Sequence, residues 1–157
     1  MNADTIARVQ CSFQALRSKR HVLSVRFARC LFAENPAMRP LFPANMDQWS
    51  QRFVDTLDRG VRDLHKSQAV SEMARSFQLH RLGRQIAVQH LAIATDTLVR
   101  VIAELQQQQW SSELDRAWRS VLVSASQQLV DQSAQSRDTH RAGHQPVIRT
   151  AARGVDQ

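Results

Sequence analysis

Two histidines, His80 and His90, stand ten residues apart in FQLHRLGRQIAVQHL (residues 77–91), around Gly83 and a cluster of basic side chains. A neutral imidazole ligates a metal through one ring nitrogen when the other finds an acceptor that sets the tautomer. An imidazole flanked by Arg81 and Arg84 can equally be a solvated surface group, and residue types alone leave both readings open. Other chemistries find no support. No HExxH, CxxC, GxSxG or Gly-rich phosphate loop occurs, and Asp and Glu are scattered without a pair suited to acid–base work. Cys11 and Cys30 lack CxxC spacing and read as two buried or half-buried thiols in a reducing cytoplasm. His21, His65, His140 and His144 read as surface residues, with His65 and Lys66 marking a helix end, where cations suit the dipole.

The elements that must position these residues are helical. The chain of 157 residues suits one domain with a sizeable core, and its 43% hydrophobic and 22% charged residues are those of an ordinary soluble protein. Only four glycines and four prolines occur, which argues against strand-and-turn architectures. Three of the prolines fall in NPAMRPLFP (residues 35–43), predicting one sharp corner between about 34 and 45. Apolar residues recur at helical spacing in Ile6, Val9 and Phe13, and in Leu23, Phe27, Cys30 and Leu31. Met46, Trp49, Phe53, Leu57, Val61 and Leu64 form a third stripe. A broad face follows in Ile93, Thr97, Val101 and Leu105, with Ala94, Leu98 and Ile102 beside them. Leu114, Trp118, Val121, Ala125 and Leu129 make the last, with Ser111 and Ser112 as candidate caps. The two longest helices are expected at about 86–108 and 112–135. From about 136 the pattern is lost, so residues 136–157 are read as a polar, mobile tail.

The net charge of +7 raises nucleic acid as a partner. The arginines, however, are spread along the whole chain without a like-charge block or interleaved aromatics, which suits solvated helix faces better. No apolar run approaches the roughly 20 residues needed to cross a bilayer, so no membrane partner is expected. The start, MNADTIARVQ, lacks a basic segment followed by an apolar one, so no signal peptide is expected and the location reads as cytoplasmic.

Read in order, three segments resemble the bacterial globins, especially single-domain haemoglobins and the globin half of flavohaemoglobins. FARCLFAENPAMRPLFPANM (residues 27–46) resembles their FYxxLF element, proline-started short helix and LFP followed by Met, at Phe27, Leu31, Phe32, Pro36, Arg39, Leu41, Phe42, Pro43 and Met46. SSELDRAWRSVLVSASQQLV (residues 111–130) resembles the start of the family's last helix, with ELxxAW at Glu113, Leu114, Ala117 and Trp118. HLAIATDTLVRVIAEL (residues 90–105) is similar to the HYxxVGxALLxxL helix. The resemblance covers about residues 5–133. It implies an all-α, globin-like fold of six to seven helices over residues 1–135.

The resemblance also implies haem b (iron protoporphyrin IX), held by one proximal histidine. His80 matches that position, and Gly83 matches the glycine that follows it, three residues on where the family usually has four. His90 matches a second, non-ligating histidine. Phe42 matches the phenylalanine that packs flat on the porphyrin. The distal tyrosine of the family is Ala28 here. Its distal glutamine falls at Trp49, or at Gln48 if the register slips by one, and Phe53 follows a turn later to face the ligand. Ile93 and Thr97, on the helix after the ligand, complete the expected cofactor contacts. Leu91 replaces the proximal tyrosine, and no late glutamate occurs in the last helix, so the resemblance fails at residues that favour O–O activation. The implied pocket is apolar and bulky, with the Trp49 indole as one donor, and it favours CO or NO over O2 more than the family does.

Two function classes follow. The first is a haem protein that reversibly binds a diatomic gas (O2, NO or CO) for carriage, storage or sensing. NO dioxygenation by such a chain needs an external reductase, so an enzymatic role is not the leading expectation. The alternative is a haem-free globin-fold sensor or interaction module, motivated by the missing distal tyrosine and the spacing around His80.

Overall fold

The computed structural model describes residues 1–72 and 88–142. Side-chain caps start the helices where the sequence offers them. Asn2 accepts a bond from the Thr5 N–H at 2.8 Å and opens α1 (Ala3–Ala15). A single 3-10 turn at Arg17–Lys19 redirects the chain into α2 (Arg20–Glu34). The proline-rich segment forms a second 3-10 stretch, Pro36–Leu41, and is the predicted corner. Asn45 then accepts from the Gln48 N–H at 3.0 Å and starts α3 (Met46–Arg62). Residues 69–72 begin a further helical segment. After the undescribed segment, α4 (Val88–Gln106) and α5 (Ser112–Ala142) complete the chain, with Ser111 accepting from the Leu114 N–H at 3.2 Å.

The all-α expectation is met, and no strand occurs among the described residues. α4 ends at Gln106, two residues before its expected end. α5 continues past 135 to Ala142, because backbone helix propagates where the apolar stripe has already ended.

α2 packs against both α3 and α4, whereas α3 and α4 do not pack extensively on each other among the described residues. α5 closes the other side against α4 and α1, and α1 reaches across to α3. Each stripe supplies one wall of a single core: Leu23, Phe27 and Leu31 from α2, Trp49, Phe53, Leu57 and Val61 from α3, and Val101 and Ile102 from α4. Burying each large side chain of this kind contributes about 1.5–3 kcal/mol. Cys30 is half-buried as expected, but Cys11 is exposed. Its neighbours Val9, Ser12 and Phe13 face the core, and at about 100° per residue position 11 points away from them.

Directional bonds fix the register of α1, α4 and α5. The Ser12 hydroxyl donates to Gln106 Oε1 at 2.8 Å, Gln106 Nε2 donates to the Ser12 carbonyl at 2.8 Å, and Trp118 Nε1 donates to Ser12 Oγ at 2.9 Å. All three residues are buried. Beside this network Gln107, the residue after α4, has φ 47°, a left-handed conformation a glycine would accept more readily. Gln10 ties α1 to the end of α3 by donating to the carbonyls of Val61 and Arg62 at 3.1 and 3.0 Å.

Candidate functional site

On α3, Trp49 and Phe53 are four residues apart, so one turn of helix places both rings on the same face. That face meets Phe27 of α2. The Phe27 and Phe53 rings stack with centroids 5.1 Å apart and planes 4° from parallel. Trp49 lies 4.9 Å from Phe53 and 6.2 Å from Phe27, tilted 21° from each. From the corner, Phe42 meets the Trp49 ring edge-on at 5.1 Å, and Phe32 meets Phe42 in the same manner at 4.8 Å. Each such pair contributes about 0.5–1.5 kcal/mol beyond the area it buries. The result is a continuous aromatic wall built from two helices and the corner between them.

Trp49 and Phe53 are 5% and 6% exposed, and Ala28 beside Phe27 is 8% exposed. Ala28 therefore faces the interior with a methyl group where a tyrosine would place a phenol. Underneath, the hydroxyls of Ser24 and Ser50 hydrogen-bond to each other, and Ser24 also donates to the His21 carbonyl at 2.9 Å. These small residues let α2 and α3 approach closely enough for their rings to stack.

α4 also packs on α2. Thr97 is buried, while Ile93, one turn earlier, is half-buried against the core. The structure thus brings Phe42, Trp49, Phe53 and Ala28 into one region, with Thr97 and Ile93 on the other helix that packs on α2. It does not bring Gln48 there: that side chain is exposed, one position around the helix from buried Trp49. His90 sits in the first turn of α4 and is half-buried. His80 and Gly83 lie outside the described residues.

Two residues of the wall are not among those the sequence assigns to the site. Phe27 is visible there as a member of the α2 stripe and, like Phe32, as a match to the FYxxLF element, with no site role assigned to either. Nothing in sequence spacing announces that an α2 ring will stack on an α3 ring, because the helices' crossing decides it.

A flat apolar macrocycle such as haem needs aromatic or aliphatic walls and helices that separate enough to admit it. The described residues meet the first condition: the wall between α2, the corner and α3 is uncharged. Among the described residues no group of three His, Cys, Asp or Glu side chains is arranged to hold a bare metal ion. No helix among them is long and apolar enough to cross a membrane.

These features define an all-helical protein with an aromatic cluster between α2, the corner and α3. The globin family model matches residues 25–129, and the chain belongs to the globin family. No curated protein matches the chain.

Proposed function

We propose that this globin holds haem b against the aromatic wall, with His80 as proximal ligand, and reversibly binds a diatomic gas (O2, NO or CO) for carriage, storage or sensing. The observation that supports this reading most directly is the stacked set Phe27, Trp49 and Phe53, with Phe42 set edge-on against it. When bound, the haem iron supplies the coordination site for the gas. Phe42 packs on the macrocycle, Phe53 and Phe27 exclude water, and Ala28 leaves space where the bacterial globins that this sequence resembles carry a tyrosine.

In this reading the Trp49 indole N–H is the donor available to a bound gas. No hydrogen bond from it occurs among the described residues. A single indole is weaker and less adaptable than a tyrosine with a glutamine, so the pocket favours CO or NO relative to O2. The flavohaemoglobin-like ancestry, the cytoplasmic location and the gas itself belong to the same proposal, and NO dioxygenation would need an external reductase.

The test is an absorption spectrum of the protein expressed with haem supply, oxidised and then reduced with and without CO. A Soret band that moves on adding CO, retained in His90→Ala and lost in His80→Ala, is the expected result. A colourless but folded helical protein would overturn the reading in favour of a haem-free interaction module.

A further inference from the structure

The corner between α2 and α3 is the short 3-10 stretch Pro36–Leu41, which ends at Phe42. Pro36, Pro40 and Pro43 have no N–H to donate. The bonds it makes include Met38 N–H to the Asn35 carbonyl at 2.9 Å and Phe42 N–H to the Arg39 carbonyl at 3.1 Å. Phe42 itself is extended, with φ −104° and ψ 153°, and its N–H bond to the Arg39 carbonyl closes the 3-10 stretch.

Arg39 adds side-chain bonds to this turn. Its Nη1 donates to the carbonyls of Phe42 and Pro43 at 3.3 and 3.2 Å. Its guanidinium carbon lies 5.5 Å from the centroid of the Phe32 ring, whose edge-on partner is Phe42. The same side chain therefore grips Phe42 from the backbone and backs its ring through Phe32. No carboxylate pairs with Arg39 among the described residues, so its charge is directed at these carbonyls and this ring.

We infer that Arg39 is a positioning residue that sets Phe42 against Trp49 and thereby fixes the face of the aromatic wall. The inference deepens the proposed function and rests on it wherever haem is concerned. Arginine suits the role because one guanidinium nitrogen, Nη1, reaches both carbonyls while the planar group lies against a ring. A lysine keeps the charge and can donate to the carbonyls, but offers no plane to set against the ring.

The experiment compares the wild type with Arg39→Ala and Arg39→Lys. In the haem-free full chain, amide hydrogen exchange is followed at Phe42 and Gln48, with the amides of α5 around Trp118 as the internal reference. Arg39→Ala should speed exchange at Phe42 and Gln48 about tenfold, as expected for losing charge-assisted bonds, with the reference unchanged. Arg39→Lys should recover part of the loss. With hemin and then CO added, Arg39→Ala should release haem about tenfold faster and broaden the stretching band of the added CO, again partly rescued by lysine.

Unchanged exchange at Phe42 in Arg39→Ala would overturn the inference. So would faster exchange accompanied by wild-type haem release and an unaltered CO band, since Phe42 would then not transmit to the wall. If the wild type takes up no haem while exchange at the corner still rises in Arg39→Ala, the haem reading fails and the positioning of Phe42 by Arg39 stands.

Discussion

The two ends of the core are held together by different physics. Between α1, α4 and α5, Ser12, Gln106 and Trp118 form a closed set of buried hydrogen bonds. Between α2, the corner and α3, aromatic rings pack on one another above the hydrogen-bonded hydroxyls of Ser24 and Ser50. Directional bonds tolerate little displacement, because a buried donor or acceptor that loses its partner costs its full desolvation. Stacked rings depend on shape and area, and can shift against a flat ligand without stranding a polar atom. The polar network sets which helices meet and in what register. On the function proposed above, the aromatic region is where the ligand is received.

The largest effect should come from cutting the network. Ser12→Ala removes the hydroxyl that serves both Gln106 Oε1 and Trp118 Nε1, leaving two buried polar atoms without that partner. The expected loss is about 2–4 kcal/mol, read as a lower urea midpoint at unchanged slope. A loss no greater than that of an ordinary surface substitution would mean that the network does not hold this end of the core.

Phe53→Leu is expected to cost less, about 1–2 kcal/mol, since a large apolar side chain still fills most of the space. Its main effect should appear in ligand kinetics: CO binding to the haem-loaded protein should be several-fold faster, with the network untouched. If Phe53→Leu destabilised the fold as severely as Ser12→Ala, the aromatic wall would be a structural keystone rather than a receptive surface.

The smallest effect lies at the start of α5, outside both regions. The Glu113 carboxylate is held below its ordinary range by its own backbone N–H, then by the Ser111 hydroxyl. A lowered folded-state pKa stabilises the fold above the unfolded value, and that contribution disappears as pH falls through the folded one. Thermal melts of wild type and Glu113→Gln should therefore differ slightly near neutral pH and converge in acid. A difference that persisted at the acid end would mean the side chain acts through packing instead.

Much of the fold is legible in local sequence pattern. The spacing of Trp49, Phe53, Leu57 and Val61 predicts a one-sided helix, and all four are buried. Ser111 has the residue type and place of a cap for the last helix and serves as one. Three prolines within nine residues predict the corner, and the chain turns there. The misses share a cause. By residue type Cys11 should be at least half-buried, but the phase of α1 turns it outward. Val99 lies between two expected stripe positions and is 1% exposed, because α4 is covered by both α2 and α5. Gln48 and Trp49 compete in the sequence for one role, and the phase of α3 buries Trp49 and exposes Gln48.

The sequence by itself determined the helices, their buried stripes, the corner and the family, because periodicity, caps and prolines act within a few residues along the chain. Tertiary structure alone decided what those stripes do on meeting. It stacked Phe27 on Phe53, closed a three-residue polar network across sequence separations of 94 and 106, and turned Arg39 onto the carbonyl of Phe42. Such contacts depend on helix crossing angles and on which side chain each crossing leaves without a partner, and neither is a local property of the chain.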